Sequence, residues 1–144
     1  MPLMEVDFED VQGPIPAGTL VAFEITGAET KETQTDHSDM IVWTFTVFAP
    51  DEFAGRKLYR MDNLANRRML KDSAGNPTDK PDVNAGKQAR YYLQQFLTNV
   101  KAPYNPKNFD TEQAMHCKGT TKVKIEKFGD RDVNRPGDVM PFEG

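Results

Sequence analysis

Apolar residues recur at every second position over several stretches of this chain, the spacing of strands with one buried face. In TLVAFEITGAETKE (19–32), Val21, Phe23 and Ile25 fall on one side and Ala22, Glu24 and Thr26 on the other. The run TKETQTDHSD (30–39) holds no apolar residue and predicts a hairpin connection longer than the tightest class. MIVWTFTVFAP (40–50) is the strongest strand signal, rich in β-branched and aromatic residues, and Pro50 ends it. Ile41, Trp43, Phe45 and Val47 share a phase, so Trp43 is expected in the core, with Val42, Thr44, Thr46 and Phe48 opposite. DEFAG (51–55) turns the chain into a third strand, RKLYRM (56–61).

The pattern then changes. In DNLANRRMLKDSAGNPTDKPDV (62–83), the first half suits a short helix begun by Asp62, and the second has the Gly/Pro/Asp composition of a mobile loop. Past it the period lengthens to that of a helix. Ala85, Ala89, Leu93, Phe96, Leu97 and Val100 form one apolar stripe, Asp82 or Asn84 can cap it, and Pro103 lies just beyond its end. MHCKGTTKVKIEKFGD (115–130) returns to strand spacing, with Val123 and Ile125 inward and Lys122, Lys124 and Phe128 outward. RDVNRPGDVMPFEG (131–144) predicts a fifth, short strand or an extended tail.

The order β-β-β-α-β-β is that of the OB-fold. The expected fold is therefore mainly β. It is a five-stranded OB barrel with one helix between strands 3 and 4 and a long loop before that helix. One domain is expected over residues 1–144, with an irregular N-terminal segment (about 1–18) and an extended C-terminal tail (about 131–144).

Composition narrows the function classes. Hydrophobic content of 38% and charged content of 28% are ordinary for a globular domain, and no apolar run approaches a membrane span. The acidic start MPLMEVDFED lacks a secretory pattern, and the single Cys117 rules out an internal disulfide, so a cytosolic setting is expected. Net charge is −4, which excludes a uniformly basic nucleic-acid binder. The charge is unevenly spread, however. Residues 56–71 carry Arg56, Lys57, Arg60, Arg67, Arg68 and Lys71 against Asp62 alone, and residues 118–127 carry Lys118, Lys122, Lys124 and Lys127 against Glu126. The plain alternative for each run is a solvated face.

Catalytic and metal chemistry find no support. His116 and Cys117 are adjacent, the wrong spacing for two ligands on one strand face, and His37 is the other histidine. No phosphate-binding Gly-rich loop, His-Glu-x-x-His helix or Gly-x-Ser-x-Gly elbow occurs. Neither an enzyme nor a cofactor is expected.

Several motifs together carry a resemblance. IPAGTLVAFEITGAETKET (15–33) has a Pro-x-Gly start, an alternating strand and a charged exit. A polar loop, the strand IVWTFTVF (41–48), an acidic turn with Gly55-Arg56, a helix with a Leu/Phe stripe, and Gly119 followed by KVKIEK (122–127) come after it. Over about Pro14 to Val133 the chain resembles phage single-stranded-DNA-binding proteins, and the tail MPFEG faintly resembles the Phe-containing acidic tip of bacterial single-strand binders. The resemblance implies an OB-fold that coats single strands during phage replication or recombination in the cytoplasm of the infected host. It also implies phage or host replication proteins as partners, no membrane, and a homo-oligomer as one assembly state.

Single-strand binding needs cations for phosphates and aromatic faces for unpaired bases. RKLYRM interleaves both. With Leu58 inward, Lys57 and Tyr59 share the outer face; with Tyr59 and Met61 inward, Arg56 and Arg60 do. The candidate interface is accordingly Arg56, Lys57, Tyr59, Arg60, Lys122 and Lys124. Phe48 and Phe128 are candidate stacking residues. Arg67, Arg68 and Lys71 join if the segment 62–83 folds over the groove, ordering when DNA arrives. Phe53 and Tyr104 lie in loops, and Tyr91 on the flank of the helix is expected to be structural. A protein-interaction module of a phage accessory protein, favoured by the acidic N-terminus and net charge, is the alternative function, and a small structural phage protein is a third.

Overall fold

Alternation along β1 (Leu20–Glu32) and β2 (Asp39–Ala49) sends Val21, Phe23 and Ile25 of the first and Ile41, Trp43, Phe45 and Val47 of the second to one side, where all are buried. The structure, a computed structural model, describes residues 13–143. β3 (Lys57–Asn63) continues the meander antiparallel to β2, and a 3-10 turn at Asp51–Phe53 joins them. β6 (Lys118–Phe128) and β7 (Arg131–Pro141) form a second hairpin, joined to the first by antiparallel pairing of β6 with β1. The result is an antiparallel five-stranded sheet in the order β3-β2-β1-β6-β7. The fold is mainly β with one α-helix, α1 (Val83–Asn99), between the third strand and the β6–β7 hairpin.

The sheet curls, and α1 covers its inner face. Leu93, Phe96 and Leu97 of the apolar stripe are buried, as is Val100 just past the helix end, and the Asp82 carboxylate caps the start by accepting from the Ala85 N–H at 3.1 Å. The core is aromatic at its centre. Phe23 stacks on Phe45 with centroids 4.0 Å apart, and Phe96 meets Trp43 edge-on at 5.1 Å. Each such side chain contributes roughly 1.5–3 kcal/mol by leaving water. Trp43 is fully buried, and its indole N–H donates to Asp62 at 2.9 Å. Ile15, also fully buried, enters from the N-terminal side, and both of its backbone polar groups bond the Asn134 amide.

The two edge strands, β3 and β7, approach each other without a connecting ladder, so the sheet is strongly curled and not hydrogen-bonded into a ring. Tyr59, Arg60 and Met61 from one edge and Arg135, Pro136 and Gly137 from the other line the cleft between them, with Glu126 of β6 beside them.

Three sequence expectations change. No helix begins at Asp62; that residue lies within β3, and the segment after it forms a hairpin of β4 (Met69–Lys71) and β5 (Pro77–Pro81) instead of a loop. The tight turn explains this: the Asp72 carboxylate accepts from the Ala74 and Asn76 N–H groups at 2.9 Å, and Gly75 takes φ +85°. The C-terminal stretch is a long strand, β7, paired with β6 along its length, not a short strand or a tail. Ile125 is exposed where an inward position was expected, because β6 leaves the sheet there: its pairing with β1 stops at Lys122, and the rest runs out as a two-stranded ribbon. Of the irregular N-terminal segment, residues 13–18 carry no strand or helix, while 1–12 lie outside the described residues.

Candidate nucleic-acid interface

The third strand adopts the phase with Leu58 inward. Leu58 sits opposite Phe45 and is fully buried, so Lys57, Tyr59 and Met61 point outward. Tyr59 is 43% exposed. Arg60 is thereby carried inward; of the two phases open to RKLYRM, the one that would turn it outward is not adopted. Its guanidinium forks onto the Asp62 carboxylate with two contacts of 2.9 Å and lies 4.3 Å from the Phe96 ring centroid. Asp62 in turn holds the Trp43 indole, so Arg60 is tied into the core while its side chain, 20% exposed, still borders the cleft.

Around Tyr59 the surface is low. Thr44 lies opposite it on β2, and Gly27 opposite Thr44 on β1. A Cβ on Gly27 would come within 3.2 Å of Thr44, so the strands meet there with no bulk above them. The Thr26 and Thr46 hydroxyls are linked at 2.8 Å and continue this shelf beside Lys57. A flat base can approach such a shelf and reach the tyrosine face.

The shelf continues across the cleft between β3 and β7. Arg135 shares that cleft with Tyr59 and Met61, and stands opposite Lys124 in the β6–β7 ladder. The Lys124 stem passes 3.4 Å from the position of a Cβ on Gly137. Lys57, Tyr59, Arg135 and Lys124 thus lie on one band that crosses the seam of the curled sheet. Lys122 adjoins the band in a neighbouring groove of about 650 Å³, with Leu20, Met140 and the carboxylate of Asp138. Glu126 pairs with Arg135 at 3.5 Å, with the glutamate side chain 64% exposed and the arginine 27%. Glu24 and Glu29, on β1, bound the far side of the shelf.

The other candidates are placed elsewhere. Phe48 is half-buried, meeting Phe142 edge-on at 5.3 Å, with the Lys118 ammonium 5.3 Å from its centroid. Phe128, 68% exposed, stands near the tip of the β6–β7 ribbon. Arg56 donates to the Gly13 carbonyl at 2.6 Å. Arg67 and Arg68 are tied to the β1–β2 loop: Arg67 donates to the His37 carbonyl at 2.7 Å and pairs with Asp39, and Arg68 meets Asp36 at 2.8 Å. The Thr33 hydroxyl and then Arg68 hold the Asp36 carboxyl well below the usual carboxylate range. These two arginines brace a loop and are not brought to the band. Lys71 lies on the exposed β4–β5 hairpin, apart from Tyr59.

Arg135, Lys118 and Phe142 join these clusters although the sequence reading did not place them at the site. Lys118 was visible as part of a basic run. Arg135 sits beside Pro136 and Gly137 in a stretch without alternation, so nothing marked its face. His116 and Cys117 do not form a nucleophile–base pair: His116 turns to Glu24 at 3.5 Å, the thiol is directed at the Gln113 carbonyl at 3.7 Å, and burial pushes its pKa up. Among the described residues, no three His, Cys, Asp or Glu side chains are grouped to hold a metal, and no helix is long and apolar enough to cross a membrane. Comparison of the chain with protein-family models yields no match, and comparison with curated proteins yields none either.

Proposed function

We propose that this protein is a sequence-independent single-stranded-DNA-binding protein of phage type with an OB-fold barrel, acting in replication or recombination in the cytoplasm of the infected host. The observation that carries the reading is the band itself. An exposed tyrosine sits between Lys57 and Arg135, on a shelf of glycine and threonine, with Lys124 and Lys122 beyond. It offers one aromatic face for a base and a line of cations for a backbone, and no arrangement that would read base edges. The strand order β3-β2-β1-β6-β7, with β3 and β7 facing each other, fits the OB topology, and the resemblance of the motifs to phage single-strand binders points the same way.

Fluorescence anisotropy of labelled oligo-dT against duplex DNA of equal length tests the reading. Saturable binding with strong preference for the single strand is expected. Equal affinity for duplex, or no binding to oligo-dT at low salt, overturns it.

A further inference from the structure

The outward side of α1 faces a second surface that shares no residue with the band. Lys87, Arg90, Tyr91 and Gln94 follow one another along one helix face, and the segment 103–109 runs opposite them, enclosing a groove of about 620 Å³. Its floor is apolar: Leu64, Leu93, Leu97 and Phe109. Tyr91 and Tyr104 are its partly exposed aromatic walls, at 57% and 41%. The opposing segment is held in place. The Tyr104 and Thr98 hydroxyls lie 3.2 Å apart, and the Asn105 side-chain oxygen accepts from the Lys107 and Asn108 N–H groups at 3.0 and 2.9 Å.

The charge of this groove is one-sided. Lys87, Arg90 and Lys107 line it and no carboxylate does. None of the three forms an ion pair among the described residues. Arg90 lies back along the helix, with a Cβ on Gly86 falling 3.2 Å from its Nη1. A cationic rim alone would suit any polyanion. The three leucines of the floor narrow the choice, since aliphatic side chains offer a nucleotide strand neither a donor nor a stacking face and suit the apolar side chains of a peptide.

We infer that this groove docks an acidic peptide segment of a partner protein. Its carboxylates meet Lys87, Arg90 and Lys107, and its apolar side chains enter between α1 and residues 103–109. Charge complementarity selects the partner, and the apolar floor supplies the anchor.

The test uses the full chain and a fluorescein-labelled synthetic peptide that alternates Asp or Glu with Leu and Phe. Saturable anisotropy is expected, weakened by about tenfold or more in K87E/R90E and unchanged in Y59A. Both reversed residues are exposed on a helix surface, and K107E in the opposing segment provides a second variant that leaves the helix intact. A control peptide with Gln at every acidic position should bind far more weakly. The inference is overturned by absent binding, by equal binding of K87E/R90E and wild type, or by equal binding of the control. Displacement by oligo-dT would assign the groove to nucleic acid, and a K87E/R90E-dependent change in sedimentation would assign it to a second copy; either overturns the inference. Oligo-dT affinity of K87E/R90E stays at the wild-type level if the groove and the band are separate, so failure of one reading leaves the other measurable.

Discussion

Tyr59 and Arg60 are neighbours turned to opposite sides of the sheet, and the difference is one step of strand alternation. Tyr59 gives up little to the fold, being exposed, so Tyr59→Ala should change stability by no more than about 0.5 kcal/mol. Its loss from a stacking site should weaken oligo-dT binding by about 1–3 kcal/mol, while Tyr59→Phe, which keeps the ring, should stay near wild type. Anisotropy titrations of both variants check this, and equal affinity for Tyr59→Ala and wild type would remove the tyrosine from the interface. Asp62 behaves in the reverse way. It is 8% exposed and receives the Trp43 N–H and the Arg60 fork together. Asp62→Ala strands both donors, one of them charged, and should cost about 3–5 kcal/mol in urea unfolding. A loss below about 1 kcal/mol would mean water satisfies both groups.

Elements differ in how openly their sequences declare them. β1 and β2 were legible because their two faces contrast, and α1 because its stripe and the Asp82 cap agree. β3 was ambiguous, since Leu58, Tyr59 and Met61 put apolar groups in both phases and an arginine turns inward onto a buried carboxylate. β4 and β5 carry almost no burial, so no alternation marks them; turn chemistry at Asp72 to Asn76 makes the hairpin. β7 hides behind Pro136 and Gly137. Gly137 is needed where the register shifts near Lys122, because a Cβ would fall 2.5 Å from the Lys122 carbonyl oxygen. The site inherits these limits: Tyr59 and Lys124 were visible as candidates, but Arg135 was not, since its place depends on the curl of the sheet. The β1–β2 loop shows a brace that only the fold reveals. Asp36 accepts from Thr33, Ser38 and Arg68, and its depressed pKa means that folding favours its ionised form. That stabilisation is present in full above the unfolded carboxylate value of about 4 and fades as pH falls below it toward the lower folded value. Asp36→Asn should therefore lower the melting temperature by several degrees at pH 7, and the gap to wild type should shrink below about pH 4. A gap that is constant from pH 7 to pH 3 would show that the carboxylate charge is not what braces the loop.

At the scale of the molecule the proposed function raises the question of how a chain of net charge −4 would hold a polyanion. Charge distribution decides this more than the sum does. Arg135 lines the seam of the curled sheet with Glu126 beside it, Lys57 on β3 and Lys124 on β6 flank it, and Glu24 and Glu29 stand across the shelf. A strand following Lys57, Arg135, Lys124 and Lys122 would neutralise about four phosphates. At roughly 0.7 counterions released per phosphate, the logarithm of affinity should fall with the logarithm of salt at a slope near −3. Repulsion from the acidic remainder acts over a Debye length of about 10 Å at 0.1 M salt and weakens as salt rises, which makes the observed slope shallower than that count. Charge removal separates the two effects. Lys124→Ala should reduce the slope by about 0.7 and weaken binding to every oligonucleotide alike, because a phosphate contact carries no sequence information. Glu126→Gln should act oppositely on affinity, since it releases Arg135 from its only ion pair among the described residues. Titrations from 50 to 300 mM salt on the three proteins read both outcomes. A wild-type slope near zero, or a slope that Lys124→Ala leaves unchanged, would mean that the backbone of the strand does not run along this seam.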